Sequence, residues 1–545
     1  LASSNGEEGA REDAPAPPLV GVAGLAAGLS GLAAGALAFA LGVMGSFGQA
    51  PFHLWPLTMA MFAAFVWQLD GAAVAKRPRL AGFWRGWCLG FGYFLAGLWW
   101  VSGAFLVDPE AHALLIPFVV TLMPAGLALF WGAIGAAAVQ LWRRDGRRIL
   151  LLATLFFAFE YLRGHVLTGF PWNLAGQVWP AGGAISQAAS VVGVYGLTLL
   201  TLFAFMAPAA LLAPNKRVGS SVTPVMIALV AFVMLFAAGH ARLAAASTDT
   251  VPGVRLRVVQ AQIDQAEKWK PENLEVVRDH YLRLSTLPGV ETRTHVIWAE
   301  SALPIRYATV DLTKDADTLG AIARVLGDGR VLLTGYVRSD ITDGRLRYFN
   351  SFGVFAVEGG NTLLRAYYDK VKLVPVGEYI PFAGLARRIA PAALEDFSDG
   401  FTAGVAPGPV NAPGAPPLSP QICYEVVFPG FTPRGAERPG WIVNVTNDAW
   451  YKGTPGPLQL YNQARYRAIE EGLPVARAAS GGVSAVIDPF GRAVGQLPDE
   501  EDDVIDADLP AALRPPLYAI WGDLPVLALT FAGFVVGAVR RRGRP

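Results

Sequence analysis

Gln421-Ile-Cys-Tyr-Glu425 holds one of the two cysteines of the chain, and the only one outside its apolar segments. Two other short motifs precede it at long spacing. Trp298-Ala-Glu-Ser-Ala-Leu-Pro304 closes an apolar run with the carboxylate of Glu300. Tyr367-Tyr-Asp-Lys370 brings a lysine just ahead of Leu373-Val-Pro-Val-Gly-Glu378. A glutamate, a lysine and a cysteine, each at the end of a strand-like segment, supply a base, a fixed cation and a nucleophile. Singly, each has an ordinary reading: Glu300 as a solvated or capping carboxylate, Lys370 as a surface charge, Cys423 as a small core residue. The ordered set, with its flanking motifs, points to acyl-transfer chemistry.

These motifs lie within residues 250–510, where β-rich runs alternate with helical ones. Strand candidates are Val254–Gln262, His295–Trp298, Val331–Gly335, Phe349–Val357, Ile422–Phe428, Trp441–Thr446 and Val483–Asp488. Pro271–Leu287, Leu312–Leu326 and Leu458–Glu471 repeat apolar residues at three and four and are predicted helices. Strands alternating with helices predict sheets covered by helices, an α/β layered domain. About 260 residues suffice for one such domain.

The rest of the chain is built for lipid. Of 545 residues 53% are hydrophobic and only 16% charged, with mean hydropathy +0.39, whereas a soluble chain carries roughly a quarter charged residues. The deficit is concentrated in 19–245 and 515–545, which predict a membrane domain of seven helices and a C-terminal eighth with a basic tail. The apolar segments run over about 22–44, 53–69, 86–106, 112–140, 149–162, 186–212, 223–243 and 518–539. Residues 1–18, rich in Ala, Pro, Gly and acidic residues, read as a disordered tail.

Basic residues orient the spans. Lys76, Arg77 and Arg79 follow the second segment, Arg143, Arg144, Arg147 and Arg148 the fourth, Lys216 and Arg217 the sixth, and Arg540, Arg541, Arg542 and Arg544 the eighth. Positive loops stay cytoplasmic, so both termini are expected in the cytoplasm and 250–510 in the periplasm of a bacterial inner membrane. Glu160 and Arg85 fall inside apolar segments, where pairing between helices and a role in a substrate path are both open readings.

A net charge of +1 gives no general attraction to nucleic acid. No metal-type cysteine spacing occurs, and of the six histidines only His280 and His295 fall in the insert, which weakens a Cys-His protease reading.

The order Trp-x-Glu-Ser-Ala-x-Pro, Tyr-x-Lys-x-x-Leu-Val-Pro-x-Gly-Glu, Ile-Cys-Tyr-Glu and Asn-Asp-Ala-Trp resembles the nitrilase (carbon–nitrogen hydrolase) superfamily. With the membrane segments, the resemblance narrows to the apolipoprotein N-acyltransferase family. Thr168-Gly-Phe-Pro-Trp-Asn173, Gln265-Ala-Glu-Lys-Trp269 and Asn444-Val-Thr-Asn-Asp-Ala-Trp450 also resemble it. Ala299 and Val376 depart from the family pattern at positions that supply no chemistry. The resemblance implies an αββα sandwich carrying Glu300, Lys370 and Cys423 as catalytic residues, supported by Glu378 and Glu425. Tyr424 and Trp269 are expected to line an acyl or head-group pocket, or simply to pack; Asn447, Asp448 and Trp450 are expected to shape the site.

What the resemblance implies is a ping-pong reaction between a phospholipid acyl donor and a diacylated apolipoprotein acceptor; no cofactor or metal is implied, and nothing in the sequence demands a partner chain, so a monomer is expected while the oligomeric state stays open. A segment at 380–397 mixes Phe382, Leu385, Ile389 and Leu394 with Arg387 and Arg388, and is expected to be either a membrane-facing lid or an ordinary surface loop and helix. Two other functions compete: a membrane-tethered amidase using the same three residues, and a transporter with an external domain. The first makes eight spans excessive for an anchor, and the second lacks an evident inverted repeat.

Overall fold

The computed structural model describes residues 21–143, 145–212, 218–246, 249–308, 316–342, 344–380 and 400–538. The expected disordered tail at 1–18 and all but the first residue of the expected lid at 380–397 lie outside the described residues.

Among the described residues four helical stretches, Pro78–Leu106, Ala113–Gln140, Ile185–Leu212 and Val222–Ala244, are long and apolar enough to cross a membrane; Gly31–Ser46 and Leu524–Ala538 are apolar but shorter. Trp55–Ala72 and Arg147–His165 are further helices of this region. Among the described residues three of the apolar segments are broken, the sixth at Gly193, φ 67°, inside Ala189–Met206. The first divides into Gly21–Gly28 and Gly31–Ser46 around Gly31, whose φ of 54° no helix interior adopts. The last divides at Gly522, φ 58°, into Leu517–Trp521 and Leu524–Ala538.

Small residues bring these helices together. A Cβ on Gly82 would strike the Gly135 carbonyl, and one on Gly135 would strike that of Gly82, so Pro78–Leu98 and Ile116–Gln140 approach backbone to backbone. Charged side chains inside this region meet opposite charges or backbone carbonyls. Arg163 and Glu160 lie 2.5 Å apart, Trp131 Nε1 donates to Glu160 at 2.8 Å, and Arg148 faces Asp70 at 3.3 Å. Arg85 donates to the carbonyls of Gln68 and Leu29.

The insert contains two sheets. One has the order β12-β1-β2-β4-β5-β6, with β3 beside β4; the other runs β11-β10-β9-β8-β7. The strands are β1 (Thr250–Gln260), β2 (His295–Ile297), β3 (Leu303–Ala308), β4 (Val331–Thr342), β5 (Arg345–Glu358), β6 (Asn361–Asp369), β7 (Leu418–Ile422), β8 (Trp441–Asn447), β9 (Val475–Ser480), β10 (Ala485–Ile487), β11 (Ala493–Gln496) and β12 (Asp503–Pro510). Period-two alternation sorts the first sheet's side chains. Leu256, Val258, Ile297, Val331 and Leu333 join Ile442, Val443 and Val475 of the second sheet. Val259, Val296 and Leu332 face Tyr281 and Leu282 of helix Leu274–Ser285 and Ile322 and Ala323 of helix Ala316–Leu326.

The fourth layer is helix Pro455–Glu471, capped by Thr454. Its period reads as amphipathic, yet it is buried nearly all round, including Gln459, Asn462, Gln463, Arg467, Glu470 and Glu471. Its polar side chains bond to the membrane-helix region: Ala181 N donates to Asn462 at 3.0 Å, Tyr466 donates to the Trp179 carbonyl at 2.7 Å, and Val194 N donates to Glu470 at 2.6 Å. This helix is the floor on which the sandwich sits.

Candidate active site

Three strand ends deliver the three groups singled out from sequence. Glu300 follows β2, Lys370 follows β6, and Cys423 follows β7. The run Ile422–Phe428 is not one strand: β7 stops at Ile422 and a tight turn covers Cys423–Val427. Glu425 causes the change. Buried at the foot of the turn, it accepts from Ile422 N at 2.8 Å, Val371 N at 2.7 Å, Lys372 N at 3.1 Å and Tyr368 Oη at 2.8 Å. It thereby ties the cysteine turn to the segment just past Lys370. Burial raises the Glu425 carboxyl to about 7, against the lowering effect of the Ile422 N–H and of Lys370. Cys423 itself sits at φ 48°, the left-handed region that costs an L-residue roughly 1–2 kcal/mol.

Lys370 Nζ lies 2.9 Å from Glu378 Oε1 and 3.4 Å from Glu300 Oε1. Asn350 Nδ2 donates to the same two oxygens, at 2.7 Å each, and Asn447 N donates to Glu300 Oε2 at 2.9 Å. Lys268 Nζ supports Glu300 from behind, 3.3 Å from its backbone carbonyl. Burial draws Lys370 down, but Glu378 and Glu300 more than reverse this, so the ammonium is held well above the usual lysine range. Burial and then the Glu300 charge push the Cys423 thiol up, with Lys370 offsetting part. A thiol pushed up in this way attacks with the help of a base.

Cys423 opens into a mostly apolar cavity of about 510 Å³. Val374–Gly377, Tyr424, Asp448 and Tyr451 contribute from the sandwich. Residues between 100 and 105 and between 118 and 123 contribute from the apolar helices, and Phe170 and Trp172 from the stretch that follows helix Arg147–His165. Tyr424 packs at right angles on Phe428, centroids 5.0 Å apart, and donates to the Gly169 carbonyl at 2.9 Å. Burial raises Asp448, with Arg477 offsetting; the two are paired at 2.5 Å.

The structure thus gathers Glu300, Lys370, Cys423, Glu378, Tyr424 and Glu425 at one place. Trp269 is 44% exposed and does not line the cavity; Lys268 sits 5.6 Å from its ring. Asn350 and the helix residues at 100–105 and 118–123 went unnoticed in sequence. Asn350 occupies a plain strand position, and the helix residues read as lipid-facing.

Fold and site together define a carbon–nitrogen hydrolase domain docked on a bundle of apolar helices. Residues 255–515 match the carbon-nitrogen hydrolase family, and residues 41–207 match the apolipoprotein N-acyltransferase N-terminal domain. The chain is 41% identical to the apolipoprotein N-acyltransferase of Rhodopseudomonas palustris, over 92% of this chain and 94% of that protein. It is 39% identical to that of Caulobacter vibrioides over the same shares. A solved nitrilase-superfamily amidase from Nesterenkonia AN1 aligns at 20% identity and TM-score 0.34, covering 51% of this chain and 97% of the amidase. The chain belongs to the apolipoprotein N-acyltransferase family and is an acyltransferase.

Proposed function

We propose that this chain transfers an acyl group from the sn-1 position of a phospholipid to the N-terminal α-amine of the diacylglyceryl-cysteine of an apolipoprotein, through a thioester on Cys423. The observation that carries this reading is the apolar cavity joining residues 100–105 and 118–123 to the cysteine. Each methylene exposed to water costs ~0.8 kcal/mol, so a donor with long chains is best met by a site continuous with the membrane-helix region.

In the first step Glu300 takes the thiol proton as sulfur attacks the ester carbonyl. Lys370 and the Tyr424 N–H face the oxygen that becomes negative. Collapse breaks the ester C–O bond, Glu300 passes its proton to the departing glycerol oxygen, and a lysophospholipid leaves. In the second step the acceptor amine attacks the thioester, and Glu300 takes the ammonium proton. The C–S bond then breaks as that proton returns to sulfur, leaving an amide. An α-amine titrates near ~7.7–8.0, so a weak base suffices. Glu378 holds Lys370, and Glu425 holds the cysteine turn.

The chain acts as a monomer without metal or cofactor. It crosses the bacterial inner membrane about eight times, with the catalytic domain periplasmic and both termini cytoplasmic, as the positions of its lysines and arginines support.

Intact-protein mass spectrometry after incubation with a defined phospholipid and no acceptor tests the reading. A mass gain of one acyl chain, removed by hydroxylamine and absent in Cys423→Ala, is expected. Free fatty acid accumulating in its place points to a hydrolase, and no reaction at all points away from a phospholipid donor.

A further inference from the structure

Gln459 lies on the sandwich's floor helix, away from the reacting groups, and is 6% exposed. Its Oε1 accepts two indole N–H groups at once, from Trp100 at 3.2 Å and Trp172 at 2.7 Å. Its Nε2 faces the carbonyls of Ala50 at 3.3 Å and Gly97 at 3.4 Å. Those two carbonyls fix the amide's orientation, because a flipped amide would set oxygen against oxygen and nitrogen against N–H. One side chain therefore joins the end of helix Pro78–Leu98, the loop around Phe170–Trp172 and the floor helix.

Both indoles line the cavity that ends at Cys423. Their rings lie 5.2 Å apart, inclined by 43°, and Trp100 also meets Tyr451 edge-on at 4.8 Å. Gly456 leaves room for this arrangement: a Cβ there would come within 2.6 Å of the Trp100 ring. A buried indole N–H seeks an acceptor. Trp100 has a second one in the Gly97 carbonyl at 3.0 Å, whereas among the described residues Trp172 Nε1 donates to Gln459 alone.

We propose that Gln459 is a positioning residue that sets the tilt of Trp172 against Trp100, and through it the width of the acyl cavity and the chain length the enzyme accepts. This rests on the phospholipid-donor reading above. Without the acceptor, Trp172 turns its N–H toward other polar atoms, and the wall moves into or away from the space the acyl chain fills.

The test is single-turnover thioester formation on the full chain, with phosphatidylethanolamines differing only in a saturated sn-1 chain of 14, 16 or 18 carbons. Gln459→Leu is expected to change the ratio of rates for the longest and shortest donors by about tenfold, the scale at which hydrophobic pockets discriminate methylenes. In a Trp172→Phe background, Gln459→Leu is expected to change the ratio much less. If Gln459→Leu does not fold, Gln459→Asn withdraws the acceptor by one methylene and carries the same expectation. An unchanged ratio, or equal slowing for all three donors, overturns the proposal. A wild-type enzyme that forms no thioester with any donor overturns the donor reading itself, and is told apart by that fact.

Discussion

Lys370 and Glu378 stand 2.9 Å apart, closer than the 3.4 Å between Lys370 and Glu300. Glu378 is thus the lysine's main counter-ion, and in the proposed mechanism Glu300 is the group that takes and returns the proton. In Glu378→Gln the ammonium is expected to settle on Glu300 and weaken it as a base. Thioester formation should slow on the order of 10²-fold, the usual scale for impaired general-base catalysis. A single-turnover rate equal to wild type would remove Glu378 from this role.

The positive φ of Cys423 stores backbone strain at the proposed nucleophile. Cys423→Ala keeps the strain and Cys423→Gly relieves it. Both variants should form no thioester, while the glycine variant should be more stable than the alanine one by roughly 1 kcal/mol. Thermal unfolding of the two proteins in the same detergent measures the difference; equal stability would mean the turn is unstrained.

Lys268 is 2% exposed, and burial lowers its ammonium to about 8, with Glu300 partly offsetting. In the unfolded chain a lysine titrates near ~10.4. The cost of burying the charged form is therefore full below pH 8 and fades as pH rises to about 10.4, where neither state holds the proton. Lys268→Met should raise the melting temperature at pH 7, with the gain shrinking toward pH 10. Acylation should fall, because the Glu300 carbonyl loses its donor. A gain in stability that grows with pH would reverse the assignment.

Arg163 both pairs with Glu160 and donates to the carbonyls of Phe170 at 2.5 Å and Trp172 at 3.0 Å, two residues of the cavity wall. Glu160→Gln strips a buried cation of its counter-charge and is expected to cost about 3–5 kcal/mol. Glu160→Leu with Arg163→Met should recover much of that stability but not the acylation rate, because the loop loses its two donors. Melting temperature and rate, measured on the same preparations, separate the two effects.

The three central residues were legible because acyl-transfer chemistry restricts residue type, and each stands beside a short motif that survives in linear order. Strand ends were less legible. Ile422–Phe428 has the apolar content of a strand, but the Glu425 carboxylate captures the Ile422 N–H and turns the chain. Asn361–Asp369 and Asp503–Pro510 were missed because their exposure alternates, which weakens the apolar signal. Asn350 was invisible because a strand asparagine carries no motif; only folding brings Glu300 and Glu378 to its amide.

From sequence alone came an α/β layered domain with its membrane-helix partner, and the order Glu300, Lys370, Cys423; the αββα sandwich followed from the family resemblance. Hydrophobic periodicity, apolar length and residue chemistry are local properties and can be read along a line. The tertiary structure decided which residues beyond that set meet the nucleophile. Helices with residues 100–105 and 118–123 turn aromatic and aliphatic side chains toward Cys423, and a helix that reads as amphipathic is buried on all sides by another part of the chain. Those outcomes depend on contacts between segments hundreds of residues apart, such as Gln459 with Trp100, and no local pattern encodes them.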